Sequence, residues 1–436
     1  MVTKSPWNRG HLVTVGGRSV LVCQPHVVHY GHLGMEMAMA LAAARTTGSA
    51  AYFIHPKQDS VAGGALFELK SDEVDIIEPG SLARLALKSG FRLAEARGRL
   101  HESTAVARLS IEYELSQELR RHLVGPPLPQ EVRNGVKWAR GRMLNDRHAS
   151  LDERKNQPPY LRRRLLRQPV RVFLPDEVTV RAEQEAMRCG IDPAAKIVTL
   201  HVRESGYNLG REAQDKGGAN LRDDRSRNAR IENHFDAVDH LVSLGYLVVR
   251  IGDKTMTPVK RRGVVDLATS PFRTDLVEVY CLRKSAFIVC GESGPMTVSY
   301  VTNTPMVNVN CTDPISSYAL RPDSLFILKK VYDRSKGRPL ELRELLEKPY
   351  HVHLRNLRKF SYAENTSDEI VAAVSEMVEW LNGYRDESTA QQEFRTLATD
   401  KATALRYSTG YIRKWGTDNG FLGDGRLGRT YAETYL

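Results

Sequence analysis

The chain has 436 residues, of which 41% are hydrophobic, and carries 63 Lys and Arg against 52 Asp and Glu, a net charge of +11. That length exceeds one ordinary domain, so two or three are expected, each with enough apolar material for a core. No run of 18 apolar residues occurs, so no membrane-spanning helix is predicted, and MVTKSPWNRGHLVTVGG at the start lacks the apolar stretch of a secretory signal. Cys23, Cys189, Cys281, Cys290 and Cys311 show no CxxC spacing. They read as small core residues of a cytoplasmic protein, not as disulfides or metal ligands.

In chain order, SVLVCQ at 19–24 is a first strand, and PHVVHYGHLG is a loop leading to a helix through MEMAMALAAARTTG. AAYFIHP at 50–56 is a second strand, and residues 82–121 are helical. The charge excess is concentrated in residues 120–171, which hold 14 Lys and Arg and 4 acids, a net +10. Such a patch fits an anionic membrane face, a pyrophosphate-linked lipid or nucleic acid, or else a solvated helical face. Pro158, Pro159 and Pro169 interrupt any long helix there, and the change of domain is placed near 175–195.

The second half alternates strands and helices. Strand 196–202 is followed by a polar loop over 203–229, a helix over 230–244, and strands at 246–251 and 263–267. Then come a helix at 274–284, a strand at 286–290, a helix at 294–302 and a strand at 306–309. Strands that are apolar on both faces and alternate with helices indicate an α/β fold with a doubly wound parallel sheet. The expected divisions are 1–185, 190–385 and a loosely packed tail, 386–436, which is polar with scattered aromatics and wraps back onto the body.

Ligands of parallel α/β sheets bind beyond the carboxyl ends of the strands. His201 and Arg203 sit at one such end, on the same side of the strand. Arg203 offers a planar fork for a phosphate, or an ion pair with Glu204 or Asp266, and His201 a phosphate contact or a bond to a buried carbonyl. Arg250, Gly252 and Asp266 stand at two further strand ends, either as ligand contacts or as an ordinary turn. Glu292, Ser293, Gly294 and Pro295 form a tight turn that opens a helix, a ready phosphate site. Arg227 and Asn228 close the 203–229 loop, with Asn228 also readable as a helix N-cap. In the first half, Gly31 and Gly34 bracket His32 in a turn that would line a cleft, or serve simply as a glycine-rich turn. The chain has no GxxxxGK[ST], HExxH, GxSxG or GxGxxG after its first strand, which removes support for P-loop kinases, zincins, serine hydrolases and dinucleotide oxidoreductases.

HVRESGY, the RN before a helix, VVRIGD, VVDLA, TDLVEVYC and the ESGP turn occur in the order that resembles a bacterial glycosyltransferase family related to the fucosyltransferase-like proteins. GHLGME and SLFILKK add to the resemblance, which covers roughly residues 20–382. It departs at Ser226-Arg227 and Glu292, where the family more often has an aromatic and a small residue. The resemblance implies a GT-B fold, two Rossmann-like domains facing a cleft, with Arg203, Ser293 and Gly294 on the diphosphate of a nucleotide-sugar. No cofactor is expected, the nucleotide-sugar being a substrate, and no metal, because no DxD-like ligand pair stands at a strand end and an arginine can serve in its place. The acceptor would be a sugar, a lipid-linked molecule or a small molecule, in surface polysaccharide, glycolipid or natural-product glycoside synthesis. The enzyme would be cytoplasmic, at the inner membrane face if 120–171 binds anionic lipid. His32, His201 and Glu292 are the candidate bases. The rival readings are a nucleotide-sugar epimerase or hydrolase, and a nucleic-acid- or membrane-binding protein. Nucleic acid ranks last, because Trp138 and Tyr160 are few platforms for base stacking.

Overall fold

The computed structural model describes residues 10–15, 17–25, 30–54, 63–102, 169–204, 224–312, 319, 321–346, 359–408 and 424–436. Most of the basic stretch 120–171 and of the 203–229 loop therefore lies outside the described residues.

The second half is built on a seven-stranded sheet. Its strands are β4 (Lys196–His201), β5 (Tyr246–Arg250), β6 (Val264–Asp266), β7 (Ile288–Cys290), β8 (Met306–Cys311), β9 (Leu325–Leu328) and β13 (Arg426–Leu427). Their order is β13-β9-β8-β7-β4-β5-β6, and every neighbouring pair is parallel. The fold is α/β, and from β6 across to β9 the strands follow the 3-2-1-4-5-6 order of doubly wound sheets. Alternation along β4 sends Ile197 to one apolar layer and Val198 and Leu200 to the other. Both layers are closed to water, which explains why the strands read as apolar runs.

The helix α4 (Phe235–Ser243) covers one face through Ala237, Val238 and Leu241. It begins later than the sequence pattern predicts, after a 3-10 turn over Ile231–His234. On the other face lie α3 (Asp176–Arg188), α5 (Asp275–Lys284) and α6 (Gly294–Thr302). Thr274 caps α5 by accepting from the Val277 N–H at 3.2 Å. α6 starts at Gly294 with Pro295 in its first turn and stops at Asn303, whose φ of 60° ends the helical run.

In the first half, β1 (Gly10–Val15) and β2 (Arg18–Cys23) form an antiparallel hairpin, and β3 (Ala50–Phe53) adds parallel to β2. α1 (Tyr30–Thr47) is the crossover between β2 and β3, and α2 (Ser81–Glu102) packs on β1. α1 is apolar on every side, as expected of a helix enclosed by protein. It packs on α6, so Leu33, Met37 and Leu41 share a core with Val298, Val301 and Tyr280 of the second half.

A small antiparallel sheet joins β10 (Lys330–Asp333), β11 (Arg338–Pro339) and β12 (Phe360–Ala363). It leads to α7 (Ser367–Leu381), which starts with a Thr366–Glu369 capping box. The end of the chain does wrap back, but it is integral rather than loose. α8 (Thr389–Ser408) delivers Phe394 and Ala398 to the core, β13 becomes the sheet's edge, and α9 (Arg429–Tyr435) packs on α7. Two of its polar residues, Gln391 and Arg426, are interior partners. Arg426 is 2% exposed, lies 3.4 Å over the Trp380 ring and donates to Pro322 O at 2.8 Å.

Candidate active site

The sheet order reverses between β4 and β7, where His201 and Cys290 are the last registered pair. Chains leaving neighbouring strands toward opposite sides open a crevice above the sheet. Arg203 and Glu204 follow β4, and Gly291, Glu292, Ser293 and Gly294 follow β7. The segment 224–229 packs over these two strand ends.

That segment is tied down at four points. Arg227 donates to Glu292 O at 3.2 Å, and the Arg203 Nε donates to Asn228 Oδ1 at 3.2 Å. Ala229 N–H donates to Arg203 O at 3.1 Å, and the Lys329 Nζ donates to Asn228 O at 2.5 Å. Asn228 is therefore bonded to Arg203 and caps no helix, and the residue before the Ile231–His234 turn is Arg230. Glu292 is 3% exposed and accepts from the Thr312 hydroxyl at 2.5 Å. The arrangement places two guanidinium groups, both half-buried, beside the amino end of α6.

At that end, Ser293 does not cap α6 with its side chain, and its hydroxyl donates to Gly291 O at 3.3 Å. The Cα of Gly294 packs against α1. A Cβ on Gly294 would lie 3.3 Å from Gly31 N, and one on Gly34 would lie 2.8 Å from Val298 Cα. Thr297 donates to Gly31 O at 2.8 Å. Gly31 against Gly294 and Gly34 against Val298 means that α1 and α6 run side by side in the same direction. Their amino ends stand together, and their positive dipole ends reinforce one another there. Gly31 and Gly34, expected in a cleft-lining loop, thus belong to a helix contact. His32 falls on α1, and its side chain lies outside what the structure describes.

The expected contacts further along the sheet edge serve the fold. Arg250 is fully buried and bonds both Asp266 oxygens at 3.1 Å, Glu204 at 2.8 Å and Thr257 O at 2.9 Å. Arg250 and Asp266 are register partners on β5 and β6, so the pairing follows from strand alignment. Asp266 also accepts from Val259 N–H at 2.8 Å and Thr269 Oγ1 at 2.9 Å. Gly252 has φ 153°, and a Cβ there would meet Met256 Sδ at 2.3 Å, so the close approach is to Met256. The His201 Nδ1 is 3.0 Å from Ile251 O, and burial pulls its pKa down to about 4. It is a neutral clasp between two strand ends at pH 7 and a weak proton acceptor.

A scan of the chain against protein-family models gives no match, and neither does a search of curated proteins. Among solved structures, the glycosyl transferase family 9 protein from Veillonella parvula is similar with a TM-score of 0.35 and 13% identity, over 71% of this chain and 85% of that one. The dodecameric iron-containing heptosyltransferase TibC, in complex with ADP-D-beta-D-heptose, is similar with a TM-score of 0.22 and 16% identity. That match covers 43% of this chain and 46% of TibC. Similarities of this size fix neither activity nor ligand.

Three features at the site escaped the sequence reading. Lys329 directly follows the apolar run LFIL, and a charge at the end of a buried strand was the available signal. Thr312 had none, since its role depends on Glu292 lying across β7 and β8. The third is a cluster behind α1, where burial and the neighbouring Glu278 push the Tyr30 hydroxyl well up. Glu278 is raised by burial and paired with Arg273 at 2.9 Å, and Asp275 takes the N–H groups of Gly63 and Gly64 at 3.0 and 3.1 Å. Burial likewise raises the thiols of Cys281 and Cys290, in keeping with their reading as core residues. Among the described residues, no group of three His, Cys, Asp or Glu is placed to hold a metal ion.

Proposed function

We propose that the chain is a GT-B glycosyltransferase that takes a sugar from a nucleotide diphosphate donor. The observation that carries the reading is the convergence of Arg203, Arg227 and the Ser293–Gly294 helix start on the crevice where the sheet order reverses. Forked cations beside a helix amino end match the charge and shape of a diphosphate. As the glycosidic bond breaks, negative charge builds on the leaving diphosphate. Fixed donors aimed at that charge lower the barrier with little reorganisation.

The reading makes the first half the acceptor side, and the charge of the basic stretch 120–171 suits a lipid-linked or otherwise anionic acceptor at the inner face of the membrane. Of the two candidate bases with described side chains, Glu292 stands in the turn at the crevice, whereas His201 has its Nδ1 taken up by Ile251 O at 3.0 Å. A thermal-shift panel of ADP-, GDP-, UDP- and dTDP-sugars tests the proposal. One donor class is expected to raise the unfolding temperature by several degrees and its free diphosphate to do the same. No shift with any of them, at millimolar ligand, removes the reading.

A further inference from the structure

Lys329 lies in the SLFILKK segment, and neither that motif nor the diphosphate reading gives it a role. It follows β9, and its N–H donates to Cys311 O at 2.7 Å, fixing it to the end of β8. The side chain runs inward and is 3% exposed. Burying an ammonium is costly unless its donors are met, and a leucine or methionine would fill the same space without that cost. Its Nζ spends a hydrogen bond of 2.5 Å on the main-chain oxygen of Asn228.

The groups around it explain how the charge is held. Glu364 and Glu292 favour the cation, Cys311 does so weakly, and burial outweighs them, leaving Lys329 easier to deprotonate than an ordinary lysine. His234, on the turn before α4, is itself pulled down partly by this charge. Glu364 meanwhile binds Arg230 N–H at 2.8 Å and Asn233 at 3.1 Å, tying down the same stretch further along. The peptide of Asn228 is thus gripped from below, while its side chain holds Arg203 and the residue before it places Arg227 on Glu292 O.

We infer that Lys329 is a positioning residue for the anion site, a buried cation whose clamp on the Asn228 carbonyl fixes Arg203 and Arg227 for a diphosphate. This inference rests on the diphosphate reading above. The clamp is strongest in the charged form, because an ammonium donates a stronger hydrogen bond than a neutral amine or amide. The cation is complete well below the Lys329 pKa and is lost as pH rises through it, so ligand affinity falls on the alkaline side.

Hydrogen exchange and ligand titration on the full chain test it, with Lys329→Met and Lys329→Gln beside wild type. Amides of peptides spanning 224–230 are expected to exchange at least ten times faster in Lys329→Met, with the strands of the main sheet unchanged. ADP, GDP and UDP serve as probes, and the one that binds wild type is expected to bind Lys329→Met at least tenfold more weakly. The alkaline decline in affinity is expected to flatten in the variant. Lys329→Gln, which keeps a donor without the charge, is expected to fall between and serves if the methionine form does not fold. Unchanged exchange overturns the clamp while leaving diphosphate binding intact. Faster exchange with unchanged affinity shows a purely structural lysine and also overturns the inference. Absence of binding to wild type by all three diphosphates removes the parent reading, and this inference with it.

Discussion

Replacing Arg250 with methionine separates a structural arginine from a ligand-binding one. The guanidinium is fully buried and satisfies Asp266 and Glu204, whose side chains are 9% and 23% exposed. Methionine fills similar volume but leaves the two carboxylates without their cation. Removing one partner of a buried ion pair costs about 3–5 kcal/mol. That is roughly 150- to 5,000-fold in the folding equilibrium, at about 1.4 kcal/mol per factor of ten. The upper end is the less appropriate, because Glu204 retains some water and Thr257, and Asp266 keeps Val259 N–H and Thr269. Urea unfolding followed by circular dichroism reads the change, and a fall of about 3 kcal/mol is expected. Asp266→Asn added to the variant is expected to recover at least about 1 kcal/mol, since neighbours in one network couple by that order. A loss below about 1 kcal/mol, within the range of ordinary surface substitutions, would refute the reasoning. So would an intact fold that had lost all diphosphate affinity.

Gly34→Ala puts a Cβ 2.8 Å from Val298 Cα, a backbone atom that cannot swing away. A cost of about 1–3 kcal/mol is expected, whereas Gly80→Ala, with open space around it, is expected to be near neutral in the same denaturation assay. His201 and His234 both titrate near pH 4 in the folded chain because burial disfavours their charged forms. The unfolded chain takes up those protons near pH 6.5, so this contribution is full above pH 6.5 and is lost as pH falls toward 4. The pH dependence of the urea midpoint should show it, and His201→Gln should remove about one proton from the slope. Arg426→Ala removes the cation 3.5 Å from the buried Glu376 carboxylate, leaving it Gln391 and the Arg429 N–H, and strips the cation from Trp380. A loss of about 3 kcal/mol and early proteolytic release of the C-terminal segment, followed by mass spectrometry, are expected.

Much of the second half was legible because parallel strands buried on both faces leave a plain apolar signature. The placement of polar groups at strand ends followed from that signature: Arg203 follows β4, and Ser293 and Gly294 follow β7. What was not legible depends on partners distant in sequence. GHLG reads as a turn because glycine is a poor helix former, yet it opens α1 because two glycines let that helix lie against α6. Arg250 and Asp266 looked like ligand contacts until the β5–β6 register put them opposite one another. Polar residues of the last segment, such as Gln391 and Arg426, look like surface residues in isolation. They are buried because Glu376 sits between them, accepting from Gln391 at 2.9 Å.

The central claim is that the crevice between β4 and β7 holds the diphosphate of a sugar donor through Arg203. Isothermal titration of wild type and Arg203→Ala with the nucleoside diphosphate that binds best tests it most directly. A charge-assisted bond to phosphate is worth about 1.5–3 kcal/mol, so the substitution should weaken binding about 10- to 150-fold while leaving the urea midpoint near that of wild type. Equal affinity in the two proteins would contradict the account.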